Sequence, residues 1–183
     1  MRRTIASAEI RPEDIAGVGI DGQSWSAIAV DKKGRVLTNT PIWMDTRAQS
    51  ICDRLNREIG AEEIFKVAGN SLQPSYTTAK ILWYKENLPE VYKNTYKILQ
   101  SNSYIAYKLT GAMTQELSQG YGLHCFDMRK GTWDEEMCGR LGIPREFLPE
   151  ICACDEIIGT VTKEAALESG LAEGTPVAAG GLD

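Results

Sequence analysis

The sequence predicts an α/β layer fold, and three observations predict it. Strand-like stretches and stretches of helical periodicity alternate along the chain. The strand-like stretches are short and apolar, bounded by Gly, Pro or Asn. The chain also ends on such a run, Gly174-Thr175-Pro176-Val177-Ala178-Ala179-Gly180-Gly181-Leu182-Asp183. Small apolar residues between glycine and proline suit a strand buried on both faces, as in a largely parallel sheet covered by helices. The carboxyl ends of such strands open into the crevice where α/β proteins bind ligands, and glycines there let a backbone or ligand come close. Asp183 therefore stands where chemistry is expected, although Gly180-Gly181 taken alone reads first as a turn.

In order, residues 1–9 read as the last turns of a helix, 11–14 as a loop around Pro12, and 15–20 as a buried strand. Gly17-Val18-Gly19-Ile20-Asp21-Gly22 spells the dinucleotide fingerprint G-x-G-x-x-G. That chemistry needs a strand before the glycines and a helix opening within them, so that the pyrophosphate meets a helix N-terminus. Here the glycines fall inside and just after the strand and a second strand follows, so the match is not taken as a nucleotide site. Residues 26–31, the turn Lys32-Lys33-Gly34 and residues 35–37 make a hairpin pattern, and Pro41-Ile42-Trp43-Met44-Asp45 a further short strand. From Thr46 the spacing turns helical, with Ala48, Ile51, Cys52, Leu55 and Ile59 on one face and Gly60 as the stop. Residues 62–68 form a second short helix. Thr77 or Thr78 caps the next, broken near Leu88-Pro89 and resumed over 90–96. Residues 97–100 are a short buried strand, Ser101 or Asn102 caps a helix ended by Gly111, and 116–124 is a polar, irregular stretch. A helix over 132–141, a proline-bearing loop and a helix over 163–169 lead into the final strand. There is no internal repeat.

Of 183 residues, 43% are hydrophobic and 25% charged, ordinary for a chain that buries a core. A formal net charge of −5 offers no basic footprint for nucleic acid or an anionic membrane, and no apolar run approaches a bilayer span. Met1-Arg2-Arg3 is followed by polar residues rather than a secretory apolar core, and five cysteines, an odd number, suit a reducing compartment; the expected location is the cytoplasm. Cys152-x-Cys154 is too closely spaced for a zinc knuckle and His124 is the sole histidine, so no metal site is predicted.

Three separated motifs carry a family resemblance. Ser75-Tyr76-Thr77-Thr78-Ala79-Lys80-Ile81-Leu82-Trp83-Tyr84-Lys85-Glu86-Asn87 resembles the first signature of the FGGY carbohydrate kinases, with Tyr84 in place of the usual aliphatic residue. Trp43-x-Asp45-x-Arg47 resembles the W-x-D-x-R that follows the hairpin in sugar kinases of that family, and Gly180-Gly181-Leu182-Asp183 its glycine-rich strand end with the catalytic aspartate. Gly22-Gln23-Ser24-Trp25 occupies the place of the substrate-facing turn. The likeness covers essentially the whole chain and is closest to xylulokinase-type members. It implies an α/β, ribonuclease H-like domain of the actin, hexokinase and Hsp70 type: the N-terminal, sugar-binding domain of a two-domain kinase, incomplete at both ends. A D-x-G-T phosphate loop is expected before Met1 and an ATP-binding domain after Asp183. ATP and Mg²⁺ are expected to be bound mainly by those other parts, and a homodimer of the full-length enzyme is left open.

The resemblance implies the roles. Asp183 is the general base that takes the proton of the acceptor hydroxyl. Gln23, Ser24 and Trp25 hydrogen-bond substrate hydroxyls, and Trp43 packs its indole on the sugar's carbon skeleton, a core tryptophan being the alternative. Ser24 and Trp25 depart from the Arg-Glu of glycerol kinases and the Met-His common in xylulokinases, and Leu117 stands where glycerol kinases carry a glycerol-contacting tyrosine. Asp45 and Arg47 either touch a hydroxyl or hold the pocket wall as an ion pair, the favoured role. Lys80 and Trp83 are signature residues expected to serve packing, with Lys80 available to bond a loop carbonyl. His124 is expected as an exposed or hydrogen-bonded loop residue. The implied activity is ATP-dependent phosphorylation of a ketose or related polyol; an inactive sugar-binding module on the same fold and a glycerol kinase are the alternatives.

Overall fold

The computed structural model describes residues 1–182, and its elements follow the alternation read from the sequence. The chain opens with α1 (Arg2–Ser7) and a 3-10 turn at Pro12–Asp14 before reaching β1 (Asp21–Gly22). The buried strand expected over 15–20 does not form. Val18 alone makes a parallel bridge, to Val177, while Ile15, Val18 and Ile20 pack inward and Ala16, Gly17 and Gly19 stay exposed. Such a segment buries one face, and its outward positions carry almost no side chain to bury on the other. No helix opens at these glycines, the next being α2 (Gln49–Leu55), so a pyrophosphate would meet no helix N-terminus here.

β1 pairs in parallel with β10 (Gly181–Leu182), Asp21 opposite Gly181 and Gly22 opposite Leu182. The preceding β9 (Pro176–Ala178) runs antiparallel to β8 (Ile157–Thr160). Ala178 N–H donates to Val18 O at 2.8 Å and Gly181 N–H to Ile20 O at 3.0 Å, which stitches the final run to residues 18–20. Between β9 and β10 the chain kinks at Gly180 with φ +87°, and a Cβ there would strike the Ile20 carbonyl oxygen. Only glycine satisfies both conditions.

The hairpin forms as expected. β2 (Ile28–Val30) bridges Val36 across a turn in which Asp31 Oδ1 accepts from the amides of Lys33 (2.8 Å) and Arg35 (3.0 Å). The other edge of β2 takes β3 (Lys97–Leu99), antiparallel. α2 buries Ile51, Cys52 and Leu55 and passes through a π-helical turn into α3 (Ala61–Ala68), with Gly60 at φ +98° marking the break. Pro89 separates α4 (Thr77–Asn87) from α5 (Pro89–Asn94), and α6 (Ser101–Thr110) ends at Gly111. The threonine and serine caps read from the sequence are not caps: the residues before these two helices are Tyr76 and Gln100, without side-chain caps, because Thr77, Thr78, Ser101 and Asn102 bond other parts of the fold.

β4 (Thr114–Glu116) pairs in parallel with β7 (Glu150–Cys152) and runs straight into the single turn α7 (Leu117–Gly120). β5 (Phe126–Asp127) and β6 (Thr132–Trp133) form a small antiparallel pair, so the helix expected from residue 132 begins three residues later as α8 (Glu135–Leu141), capped by Asp134 Oδ1 on Met137 N–H at 2.8 Å. α9 (Lys163–Ser169) falls where the pattern put it, with Thr162 as its cap. A large apolar cluster joins α2, α3, α4, β2 and α8, and a smaller one lies under β9 and α9. No helix among the described residues is long and apolar enough to cross a membrane.

Candidate active site

The turn that follows β1 is held in place by α4. Thr77, Lys80 and Tyr84 fall three and four residues apart, hence on one helix face. Their side chains donate to successive backbone carbonyls: Lys80 Nζ to Trp25 O (2.7 Å), Thr77 Oγ1 to Ser26 O (3.1 Å) and Tyr84 Oη to Ala27 O (2.9 Å). Lys80 bonds a loop carbonyl, one of the uses open to it from sequence. Tyr84, a departure from the aliphatic pattern, completes the rack through its hydroxyl. Burial lowers the Lys80 ammonium from its ordinary 10.5 to about 8, with Asp45 opposing the drop.

The backbone so held is strained. Trp25 has φ +63°, a left-handed conformation that costs a bulky residue on the order of 1–3 kcal/mol. Its indole lies 4.5 Å from the Tyr76 ring and meets the Tyr121 ring edge-on at 6.2 Å, while Tyr76 meets His124 edge-on at 5.1 Å. Gly122 lies beneath, where a Cβ would come within 2.8 Å of Trp25 Cδ1. Trp25 Nε1 and His124 Nε2 are buried and have no hydrogen-bond partner among the described residues. An unpaired buried polar atom costs about 1–3 kcal/mol.

Of the two expectations for His124, exposed or hydrogen-bonded, the second holds. The residue is fully buried, its N–H donates to Thr78 Oγ1 at 2.7 Å, and its Nδ1 lies 3.2 Å from the same oxygen. Burial lowers its pKa to about 4, so the ring is neutral at pH 7. The polar, irregular stretch 116–124 opens with α7 and turns largely inward: Glu116, Gln119, Gly120, Gly122, Leu123 and His124 are all buried. Glu116 accepts from Asn102 Nδ2 (3.0 Å), Ser118 Oγ (2.6 Å), Ser118 N–H (2.5 Å) and Gln119 N–H (3.1 Å). Gln119 Nε2 reaches Gly22 O at 3.0 Å, and Ser101 Oγ donates to Gln23 O at 2.7 Å. Leu117, in the glycerol-contacting place, is exposed.

Residues 41–45 form a turn rather than the expected strand. Asp45 N–H closes on Ile42 O at 3.0 Å, and Asp45 Oδ1 accepts from Arg47 N–H at 3.0 Å, a local side-chain bond that competes with extended pairing. Asp45 and Arg47 are joined through Nε (2.9 Å) and Nη2 (2.7 Å), and the guanidinium lies 4.7 Å from the centre of the Trp83 ring. The favoured ion pair is present, and Trp83 of the signature helix packs on it. Arg47 holds the Asp45 carboxyl below the usual range, chiefly by that hydrogen bond. Trp43 is 48% exposed, between exposed Ile42 and Met44, so it is not packed in the core formed by the described residues.

The structure thus joins Trp25 with Lys80, and Asp45 with Arg47 and Trp83, and ties Gln23 to α6 and α7 through its carbonyl. It gives Trp43 no ring partner among the described residues. Asp183 lies outside the described residues; the strand leading to it is described to Leu182. The profile of the FGGY family of carbohydrate kinases, N-terminal domain, matches residues 1–183. The chain belongs to this family. The xylulose kinase of Bacillus subtilis (strain 168) is 28% identical over 179 residues, which take in 98% of this chain and 36% of that protein. Among solved structures, a gluconate kinase and a ligand-bound xylulose kinase, both from Lactobacillus acidophilus, each superpose with a TM-score of 0.88 at 26% identity, over 97% of this chain and 36% of theirs. The chain spans a little over a third of the length of these relatives, 36% in each case. The α/β sugar-kinase N-terminal domain expected from the motifs is the architecture these structures share.

Within this FGGY domain, sequence reasoning missed Thr77, Tyr84, Glu116, Ser118 and Gln119. Thr77 read as a cap and Tyr84 as a departure within the signature, while Glu116, Ser118 and Gln119 were visible only as polar residues; each has a partner on another element. Among the described residues no three His, Cys, Asp or Glu side chains are grouped to hold a metal ion. The Mg²⁺ and ATP implied by the resemblance are therefore assigned no residues here, and no step below is routed through a metal.

Proposed function

We propose that this chain is the sugar side of an ATP-dependent carbohydrate kinase acting on a ketose such as xylulose or a related polyol, in the cytoplasm, with Asp183 as general base. The observation that carries the reading is the register of β1 and β10. The pair ends with Gly22 beside Leu182, and the next residues in sequence are Gln23, at the substrate-facing turn, and Asp183. The carboxyl ends of parallel strands are where α/β proteins gather ligand-contacting groups, which supports the reading.

In the proposed reaction the acceptor hydroxyl oxygen forms a bond to the γ-phosphorus of ATP as the bond to the β-bridging oxygen breaks. The hydroxyl proton passes to the Asp183 carboxylate and ADP departs. Gln23, Ser24 and Trp25 orient the sugar. Trp43 offers an exposed flat face to the C–H side of the sugar, and the Asp45–Arg47 pair, braced by Trp83, fixes the loop that carries it. The sugar is not settled by likeness, since a gluconate kinase and a xylulose kinase match this chain equally well. The deciding experiment is ADP release by the full-length protein with ATP and Mg²⁺ against ketoses, polyols and aldonates. Sugar-dependent release with one ketose or polyol is expected; sugar binding without release from any would favour the inactive binding module.

A further inference from the structure

Glu116 is buried, lies at the end of β4 and takes no part in the roles assigned above. Its carboxyl group gathers Asn102 Nδ2, the Ser118 and Gln119 amides, Ser118 Oγ and, at 3.5 Å, Cys154 Sγ. Ser118 Oγ in turn accepts from Leu182 N–H at 2.9 Å. Successive amides of a strand point to opposite sides: the Gly181 amide bonds the neighbouring strand through Ile20 O, and the Leu182 amide faces the other edge, where it finds this hydroxyl. The end of β10 is thus held on one edge by β1 and on the other by a side-chain relay.

The relay is directional. Ser118 Oγ–H donates to Glu116, which leaves the hydroxyl's lone pairs for Leu182 N–H, and the buried carboxyl is itself fixed by its further donors. Bulk water cannot replace a partner this deep at no cost. We propose that Glu116, acting through Ser118, is a positioning residue that sets the end of β10 for proton transfer. The proposal rests on the reading of Asp183 as the base.

Misplacing a catalytic group by about 1 Å can cost on the order of 10²-fold in rate while leaving ground-state binding nearly intact. In the full-length kinase, Ser118→Ala is therefore expected to lower kcat by roughly 10- to 100-fold with the sugar Kd, read by calorimetry, within about threefold. Glu116→Gln, equal in size but unable to accept at both oxygens, should show the same split. The decisive arm is the double variant. If Ser118 acts through Asp183, then Ser118→Ala adds less than about twofold to the loss already caused by Asp183→Asn. Full multiplicative loss in the double variant, an unchanged kcat in Ser118→Ala, or a sugar Kd that weakens in step with kcat would each overturn the proposal. Near-normal turnover of Asp183→Asn alone would instead overturn the base assignment on which it rests, so the two failures are told apart.

Discussion

Replacing Lys80 with methionine separates what that side chain does for the turn from what it costs the fold. Lys80 is fully buried, its Nζ holds the carbonyl of left-handed Trp25, and its pKa is about 8 against an ordinary 10.5. Because the folded value lies below the unfolded one, the unfolded chain holds more protons between pH 8 and 10.5, and stability rises with pH across that window. At 1.36 kcal/mol per pH unit the full swing is about 3 kcal/mol, of which about 2–3 kcal/mol is gained by pH 10. At pH 7 the cost of burying the ammonium is offset by a charge-assisted bond of about 1.5–3 kcal/mol to Trp25 O, so Lys80→Met should change stability little there. The assay is urea unfolding of the full-length protein and the variant at half-unit steps from pH 7 to 10. The difference between the two curves cancels the tyrosines and cysteines that titrate in the same range. It should open by about 2–3 kcal/mol in favour of the parent as pH rises. In parallel the sugar KM of the variant should rise roughly tenfold, since the Trp25 carbonyl loses its anchor. Parallel stability curves would refute the assignment of a buried, depressed lysine, and an unchanged sugar KM would refute its role in holding the turn.

His124 carries the opposite end of the pH scale: with its pKa at about 4 in the fold, the protein should lose about 3 kcal/mol as pH falls from 6.5 to 4, and His124→Gln should flatten that slope in acid unfolding curves. Trp43→Ala should raise the sugar KM by the equivalent of about 1–3 kcal/mol while leaving that of ATP alone. Because the ring is half exposed, the same variant should shift the unfolding free energy by under about 1 kcal/mol; equal effects on both substrates would count against sugar contact. Gly180→Ala should destabilise by more than about 2 kcal/mol, as its Cβ meets the Ile20 carbonyl in a left-handed backbone; a silent substitution would show that the kink is not required.

Local patterning found the elements whose causes are local. Gly60, Pro89 and Gly111 break helices where expected, α9 begins at its Thr162 cap, and the Asp31 turn closes its hairpin. It failed where a polar side chain spends its hydrogen bonds far along the chain. Thr77 and Ser101 read as helix caps, yet their hydroxyls reach Ser26 and Gln23, 51 and 78 residues away. Residues 116–124 read only as a polar, irregular stretch, and nothing local showed that Glu116, Gln119 and His124 are buried, since polar residues normally face water. Ile42, Trp43 and Met44 read as a strand because apolar side chains normally seek the core, and here all three are exposed beside the Asp45 turn. Of the candidate site, motif resemblance marked Trp25, Lys80, Asp45, Arg47 and Trp83, which the fold joins through two contacts: the Lys80 bond to Trp25 O and the packing of Trp83 on the Asp45–Arg47 pair. The hub formed by Glu116, Ser118 and Gln119 carried no local signal, since its meaning lies in pairings with β1 and β10.

The most direct test of the central claim is to measure sugar-dependent ADP release and sugar binding side by side for the full-length protein and its Asp183→Asn variant. The account predicts that the variant binds the accepted sugar within a few-fold of the parent while its turnover falls by roughly 10²- to 10⁴-fold, the usual effect of removing a positioned proton acceptor. Turnover near that of the parent in Asp183→Asn, or no sugar-dependent ADP release from the parent with any member of the panel, would contradict it.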